Sequence, residues 1–286
     1  MKIKIWGCRG SLPTPGKQTL RYGGNTTCVE VRTQDDRVII LDAGSGLCNL
    51  GRALEAERKL PHLLMLFTHA HWDHLCGFPL FDPVYDPECE ITLCGGPAGQ
   101  QSLRRYLSRQ MEPPYFPVPF DQLRARIGFG CQCGLPCDGW GAPMDCGKLC
   151  CSIRLNHPNG GHGFKLQEQG RTFVFLPDNE LGFYHEDGPG FADYVDFCRG
   201  VDLLFHDAQY TDAEYERTRG WGHSNYADTL RLASEAGVKR LGLFHHDPMR
   251  TDDDLDRQVD WCRQQLREAN SPVDCFACAE GMVVEL

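Results

Sequence analysis

Apolar and polar residues alternate over Lys2–Trp6 and Thr27–Arg32, and Val38–Leu41 is a short apolar run. These patterns predict three early strands joined by glycine-rich turns such as YGGN. In LDAGSG an apolar run ends on Asp42 and a glycine turn. Helical spacing predicts a helix over Leu47–Lys59, followed by an apolar strand over Leu63–Phe67. Ile91–Cys94 reads as a strand and Gln100–Gln110 as a helix. The prolines of MEPPYFPVPF forbid regular structure there. Further strands are expected at Cys150–Leu155, Thr172–Leu176, Asp202–His206, Arg240–Phe244, Val273–Cys278 and Met282–Leu286.

Two late helices carry their own signals. Ser224 reads as an N-cap, Tyr226 and Leu230 share a face, and Gly237 ends the helix. Thr251 caps a second helix that opens with Asp252, Asp253 and Asp254 and ends with Arg263 and Arg267, in keeping with the helix dipole. Its buried stripe is Leu255, Val259, Cys262 and Leu266. Strands in both halves, with helices between and after them, suggest an α/β chain of two packed sheets covered by helices, one domain over residues 1–286.

Composition supports a large core, with 41% hydrophobic residues in 286. No apolar run is long enough for a membrane span, and MKIKIWG enters a strand without the apolar stretch of a signal peptide, so a cytoplasmic protein is expected. A net charge of −10 opposes an extended nucleic-acid surface, which needs clustered Lys and Arg. The chain holds 16 cysteines. A reducing compartment argues against disulfides. The spacings within Cys131–Cys151 match no common zinc knuckle, so loop and buried thiols are expected there, with a structural zinc knot as the alternative. Cys275 and Cys278 lie three apart on a strand and should face opposite sides.

The chemistry concentrates in FTHAHWDH, Phe67–His74, directly after a strand. His69 and His71 can point to one side of an extended loop, while Asp73 and His74 begin the next turn, so the spacing offers two adjacent metal pockets. THAHWDH resembles the H-x-H-x-D-H motif of the metallo-β-lactamase superfamily, whose fold is an αββα sandwich of two mixed sheets flanked by helices. LDAGSG resembles that family's Asp-bearing strand end. IRLNHPNGGHGFKL places His157, FVFLPDNE places Asp178, and LGLFHHDP places His245, with His246 a competitor through a one-residue slip. The resemblance implies two divalent cations. His69, His71 and His157 would hold one, Asp73, His74 and His245 the other, and Asp178 both. Zinc is favoured by this donor set, with manganese or iron as alternatives. Cys76 reads as structural.

LLFHDAQY places Asp207 and WGHSNYADTL places His223 as in the branch of transfer-RNA 3′ nucleases and small phosphodiesterases. The implied catalytic set is Asp73, Asp207 and His223, the last serving a phosphoryl oxygen or the leaving alkoxide unless it only caps its helix. His206 and His162 are expected to be structural. CRGSLPTPG and RYGGNT resemble small bacterial phosphodiesterases, including those acting on cyclic nucleotides. A small cyclic phosphodiester is therefore the expected substrate, with no membrane, no nucleic acid and a second copy of the chain as partners. The alternatives are an RNA 3′-end nuclease and a non-catalytic sensor that retains metal. Met111, Tyr115 and Phe116 in QMEPPYFPVPF lack core periodicity. The segment reads either as a lid or dimer arm that stacks on a base, or as a loop packed on its own domain.

Overall fold

The computed structural model describes residues 1–57, 62–130 and 150–286. The first half contains strands β1 (Lys2–Gly7), β2 (Cys28–Arg32), β3 (Val38–Leu41), β4 (His62–Leu66), β5 (Glu90–Cys94) and β6 (Arg126–Phe129), with helices α1 (Leu47–Glu57) and α2 (Gly96–Gln110). The second half contains β7 (Cys150–Arg154), β8 (His162–Glu168), β9 (Arg171–Leu176), β10 (Leu203–Asp207), β11 (Arg240–Phe244), β12 (Asp274–Ala277) and β13 (Val283–Glu285). Its helices are α3 (Phe191–Phe197), α4 (Asp212–Thr218), α5 (Tyr226–Glu235) and α6 (Asp252–Glu268).

Among the described residues these strands form two mixed sheets, ordered β13-β1-β2-β3-β4-β5-β6 and β12-β11-β10-β9-β8-β7. Three apolar layers result. Between the sheets lie Ile3, Ile5, Val29, Leu41, Phe173, Phe175, Phe205 and Phe244. Outside the first sheet, α1 and α2 bury Leu47, Leu50, Leu54 and Leu107 against Leu63 and Met65. Outside the second, α3, α5 and α6 bury Tyr194, Leu232, Val259 and Cys262 against Val174, Leu204 and Leu241. This is the αββα sandwich. The one-in, one-out alternation of strand side chains lets each sheet feed two layers at once. Cys275 sits in the outer layer and Cys278 between the sheets, on opposite faces as expected. No helix among the described residues is long and apolar enough to cross a membrane.

In the first sheet β3, β4, β5 and β6 run parallel, and in the second β9, β10, β11 and β12 do. The C-terminal ends of β3, β4, β9, β10 and β11 carry Asp42, the Thr68–His74 loop, Asp178, Asp207 and His245. β7 is antiparallel to β8, which is antiparallel to β9, so β7 delivers His157 in the same direction. One edge of the sandwich thus collects every strand end that the motifs singled out.

Several local expectations change. Asn225, not Ser224, caps α5, accepting from the Asp228 amide. Ser224 instead bridges Leu181 N–H and Asn179 C=O. Thr251 caps α6 as expected, and its stripe is buried. The strands β6 and β8 and the short helices α3 and α4 lie outside the expected elements. α3 buries only Tyr194 and α4 nothing, so neither presents the apolar stripe on which pattern reading depends. In the proline segment Met111 is fully buried and Phe116 packs on the α1/α2 layer, so both serve their own domain. Tyr115 alone of the three stays open, 81% exposed. Of the cysteine cluster, residues 131–149 lie outside the described residues. Cys150 and Cys151 are free thiols on β7.

Candidate metal centre

The β4 strand ends beneath Asp42, whose carboxylate accepts from Thr68 N–H (2.7 Å) and Thr68 Oγ1–H (2.7 Å). The same carboxylate accepts from His74 Nδ1–H at 2.8 Å. Thr68 Oγ1, its proton already given to Asp42, accepts from His69 Nδ1–H at 3.0 Å. Asp42 therefore fixes the start of the histidine loop and two of its rings. It does so from a left-handed backbone conformation, φ 61°. Non-glycine residues hold such conformations only when their surroundings impose them.

The remaining rings are held in the same way. His157 Nδ1–H donates to Gly222 C=O at 2.8 Å. His245, also left-handed at φ 57°, donates Nδ1–H to Gln209 Oε1 at 2.9 Å. Gln209 is oriented in turn by donating to Tyr210 Oη. With Nδ1 bonded outward in His69, His74, His157 and His245, Nε2 of each ring is the atom turned inward. This is the arrangement in which an outer hydrogen bond fixes the tautomer of a metal-binding imidazole.

The inward atoms form two overlapping clusters. His69, His71, His157 and Asp178 place ligand atoms within 4.8 Å of one another, as do Asp73, His74 and His245. His157 Nε2 faces His71 Nδ1 at 2.9 Å. Asp73 Oδ2 lies 3.3 Å from His74 Nε2 and 3.2 Å from His245 Nε2, and the Ser11 amide steadies it at 2.8 Å. Asp178 reaches both clusters, with Oδ1 3.7 Å from His69 Nε2 and 3.2 Å from His245 Nε2, and Oδ2 3.1 Å from His74 Nε2. A third grouping, Asp178, His223 and His245, brings His223 within reach as well.

The residues fit divalent cations on a direct observation. Among the described residues His69 Nε2, His74 Nε2 and Asp178 Oδ2 are buried and have no hydrogen-bond partner of good geometry, the 3.1 Å approach of the last two included. Orphaned polar atoms of this kind are costly unless something absent from the chain satisfies them. The donor set, imidazoles around a shared carboxylate, suits zinc-like ions. Burial pushes the His69 imidazole well below its ordinary value, lowers that of His71, and takes His157 down to about 3, which keeps these rings neutral. Burial acts the same way on His74, but the Asp178, Asp73 and Asp42 carboxylates outweigh it and raise that ring, so a proton and a cation compete for its Nε2.

His246 is not part of the centre. Its Nε2–H donates to Cys278 C=O at 2.8 Å, away from the clusters, and burial beside Arg9 lowers its pKa to about 3. His206 lies under Asp207 and is fully bonded, and His162 packs against Gly96. The Cys76 thiol meets the Thr26 hydroxyl at 3.8 Å. His223 does not cap α5. Its Nδ1–H donates to Asp207 Oδ2 at 2.6 Å. Burial alone would lower the His223 pKa, but the Asp207 carboxylate, with Asp178 and Asp73 beyond it, raises it to about 9. Sequence reading missed the orienting groups Thr68, Gln209, Ser11 N–H and Gly222 C=O. Two of them are backbone atoms, which leave no trace in residue identity. Gln209 was visible only as a neighbour in HDAQY.

Comparison with known proteins points the same way. The model of a beta-lactamase superfamily domain matches residues 37–246. A ribonuclease Z of Sulfolobus acidocaldarius is 36% identical over 251 residues, covering 72% of this chain and 77% of that protein. The crystal structure of the metallo-β-lactamase fold protein YhfI from Bacillus subtilis has a TM-score of 0.70 at 17% identity, covering 100% of this chain and 98% of that one. The short form of human tRNase Z has a TM-score of 0.62 at 20% identity, covering 100% and 99%. The two structures show the shared fold, and the sequence match extends it to kinship. The chain belongs to the β-lactamase superfamily and is a metal-dependent hydrolase of the metallo-β-lactamase fold.

Proposed function

We propose that the chain is a phosphodiesterase with two metal positions that cleaves at RNA 3′ ends. The observation that carries the reaction class is Asp178, which stands between two histidine clusters with the His223–Asp207 pair beside it. His69, His71 and His157 would hold one cation, Asp73, His74 and His245 the other, and Asp178 would touch both. Divalent ions there, zinc by the nature of the donors, supply Lewis acidity toward water and phosphoryl oxygens. The chain supplies the rest. Asp207 holds the His223 Nδ1 proton, so Nε2 is the nitrogen free to donate to a phosphoryl oxygen or to protonate the departing alkoxide. Orientation of that ring, not its presence alone, sets the contribution.

The RNA assignment rests on the Sulfolobus relative, which is named a ribonuclease Z. That name supports the RNA alternative over the cyclic nucleotide expected from the N-terminal motifs. A second reading, a small diester, is kept by one observation: the net charge of −10. A panel of precursor transfer RNA, 2′,3′- and 3′,5′-cyclic nucleotides and bis-(p-nitrophenyl) phosphate separates them. Endonucleolytic release of the RNA 3′ trailer supports the proposal. Turnover of a cyclic nucleotide without RNA cleavage overturns its substrate half, and no hydrolysis of any diester overturns it whole.

A further inference from the structure

Glu180 lies two residues beyond Asp178 and is 0% exposed. Its carboxylate faces no Lys or Arg partner among the described residues. Oε1 accepts from Tyr215 Oη–H (2.7 Å) and Gly220 N–H (2.7 Å), and Oε2 from Gly222 N–H (2.7 Å) and His185 Nε2–H (3.0 Å). Two backbone amides of one short loop thus converge on a single buried carboxylate. Gly220 and Gly222 have φ 87° and 94°, conformations that turn their N–H groups inward and that side chains resist. The loop is also pressed on the metal centre: a Cβ on Gly222 would lie 2.1 Å from His157 Nδ1. Gly222 C=O is the acceptor that orients His157, and the next residue is His223.

We propose that Glu180 is a positioning residue for the phosphodiester reaction: its carboxylate folds the Arg219–His223 loop so that Gly222 holds the His157 ring and His223 meets Asp207. The inference rests on the function proposed above, but its geometry concerns only this loop. One carboxylate connects the strand end that carries the shared ligand Asp178 with the loop that carries His223. A displacement of Asp178 and of His223 relative to one another is thereby opposed by the two loop-amide hydrogen bonds, while Tyr215 and His185 hold the carboxylate in place. A carboxylate is required because both oxygens must accept. In Glu180→Gln either orientation of the amide turns an NH2 toward one glycine N–H, and that donor loses its partner.

The test compares Glu180→Gln with Tyr215→Phe, which removes one donor to the same carboxylate but leaves both loop amides bonded. Hydrogen exchange at Gly220 and Gly222 is followed together with kcat on bis-(p-nitrophenyl) phosphate and zinc retention against a chelator. For Glu180→Gln the expectation is faster exchange at one or both amides, with kcat and zinc retention each lower by about tenfold or more. Tyr215→Phe should stay within about twofold of the wild type in all three. If the Gln variant does not fold, Glu180→Asp, which keeps the charge but withdraws both oxygens by a methylene, is judged by the same criteria. Unchanged exchange and kcat at position 180, or an equal loss in Tyr215→Phe, overturns the inference. A wild-type chain that hydrolyses no diester refutes the proposed function instead, and the exchange and zinc measurements then decide the role of Glu180 alone.

Discussion

His245 Nε2 lies 3.2 Å from Asp73 Oδ2, although 172 residues separate the two in the chain. The contact joins a loop of the first sheet to a strand end of the second, so this half of the centre exists only once the sandwich has closed. Gly10 makes room for it, since a Cβ there would lie 2.4 Å from His245 Nδ1. The two adjacent histidines should accordingly behave differently. His245→Ala is expected to lower bound metal from about two ions per chain toward one and to remove activity, because one cluster loses a donor. His246→Gln should retain both ions, since the native ring bonds to Cys278 C=O instead. Elemental analysis of the two variants checks this, and loss of metal from His246→Gln alone would show the opposite assignment.

Asp42 would act on a bound cation through the His74 ring. It accepts from His74 Nδ1–H and from two groups of Thr68, and no other described acceptor replaces it for that ring at comparable distance. Asp42→Ala is expected to weaken metal binding by about 10–100-fold, the usual effect of removing an outer partner of a ligating histidine. Competition with a chromogenic chelator measures it. Affinity equal to the wild type would mean that packing alone holds the ring.

His223 should separate chemistry from metal binding. Its replacement by Ala is expected to lower kcat by roughly 10²-fold or more while metal content is unchanged. A loss of metal in that variant would promote the grouping of Asp178, His223 and His245 from a contact to a ligand set.

Much of this centre was legible in the chain because its ligands cluster at strand ends. His69, His71, Asp73 and His74 fall within one motif, His157 follows the strand-like Cys150–Leu155, and Asp178 and His245 each follow an apolar run. The strands were found for the same reason: Val38–Leu41 is buried throughout, and Arg240–Phe244 is buried at every position but its first. What escaped detection depends on three-dimensional neighbours. The α5 cap fell one residue away because Ser224, a good capping residue by type, is used between Leu181 and Asn179. Phe116, read as either an arm or part of a loop packed on its own domain, packs on a layer that draws on β3, β4, β5, α1 and α2, so the second alternative holds for it. No local pattern reports such packing. Glu180 looks like an ordinary acid in PDNE, and only the folded chain shows two glycine amides converging on it.

His206 gives a pH signature distinct from the metal centre. Its Nδ1–H donates to Asp207 C=O at 2.7 Å, and Nε2 accepts from Asn179 Nδ2 at 3.2 Å. A proton on Nε2 would face that amide, and burial lowers the folded pKa from 6.5 to about 4. Below about pH 6.5 the unfolded chain therefore binds a proton that the folded chain refuses. The contribution is complete above that pH and declines as pH falls toward 4, by up to about 3 kcal/mol. Urea unfolding of the metal-free protein at pH 7 and pH 4.5 should show a smaller pH-dependent loss for His206→Gln than for the wild type. Equal losses would mean that His206 accepts its proton in the folded state.

The central claim is that two cations and one protein scaffold hydrolyse phosphodiesters. It is tested most directly by titrating metal-free protein with zinc while following hydrolysis of bis-(p-nitrophenyl) phosphate. Activity should rise to a plateau near two equivalents and remain absent in His69→Ala at the same additions. A plateau at one equivalent, or no hydrolysis by fully loaded protein, would contradict the account.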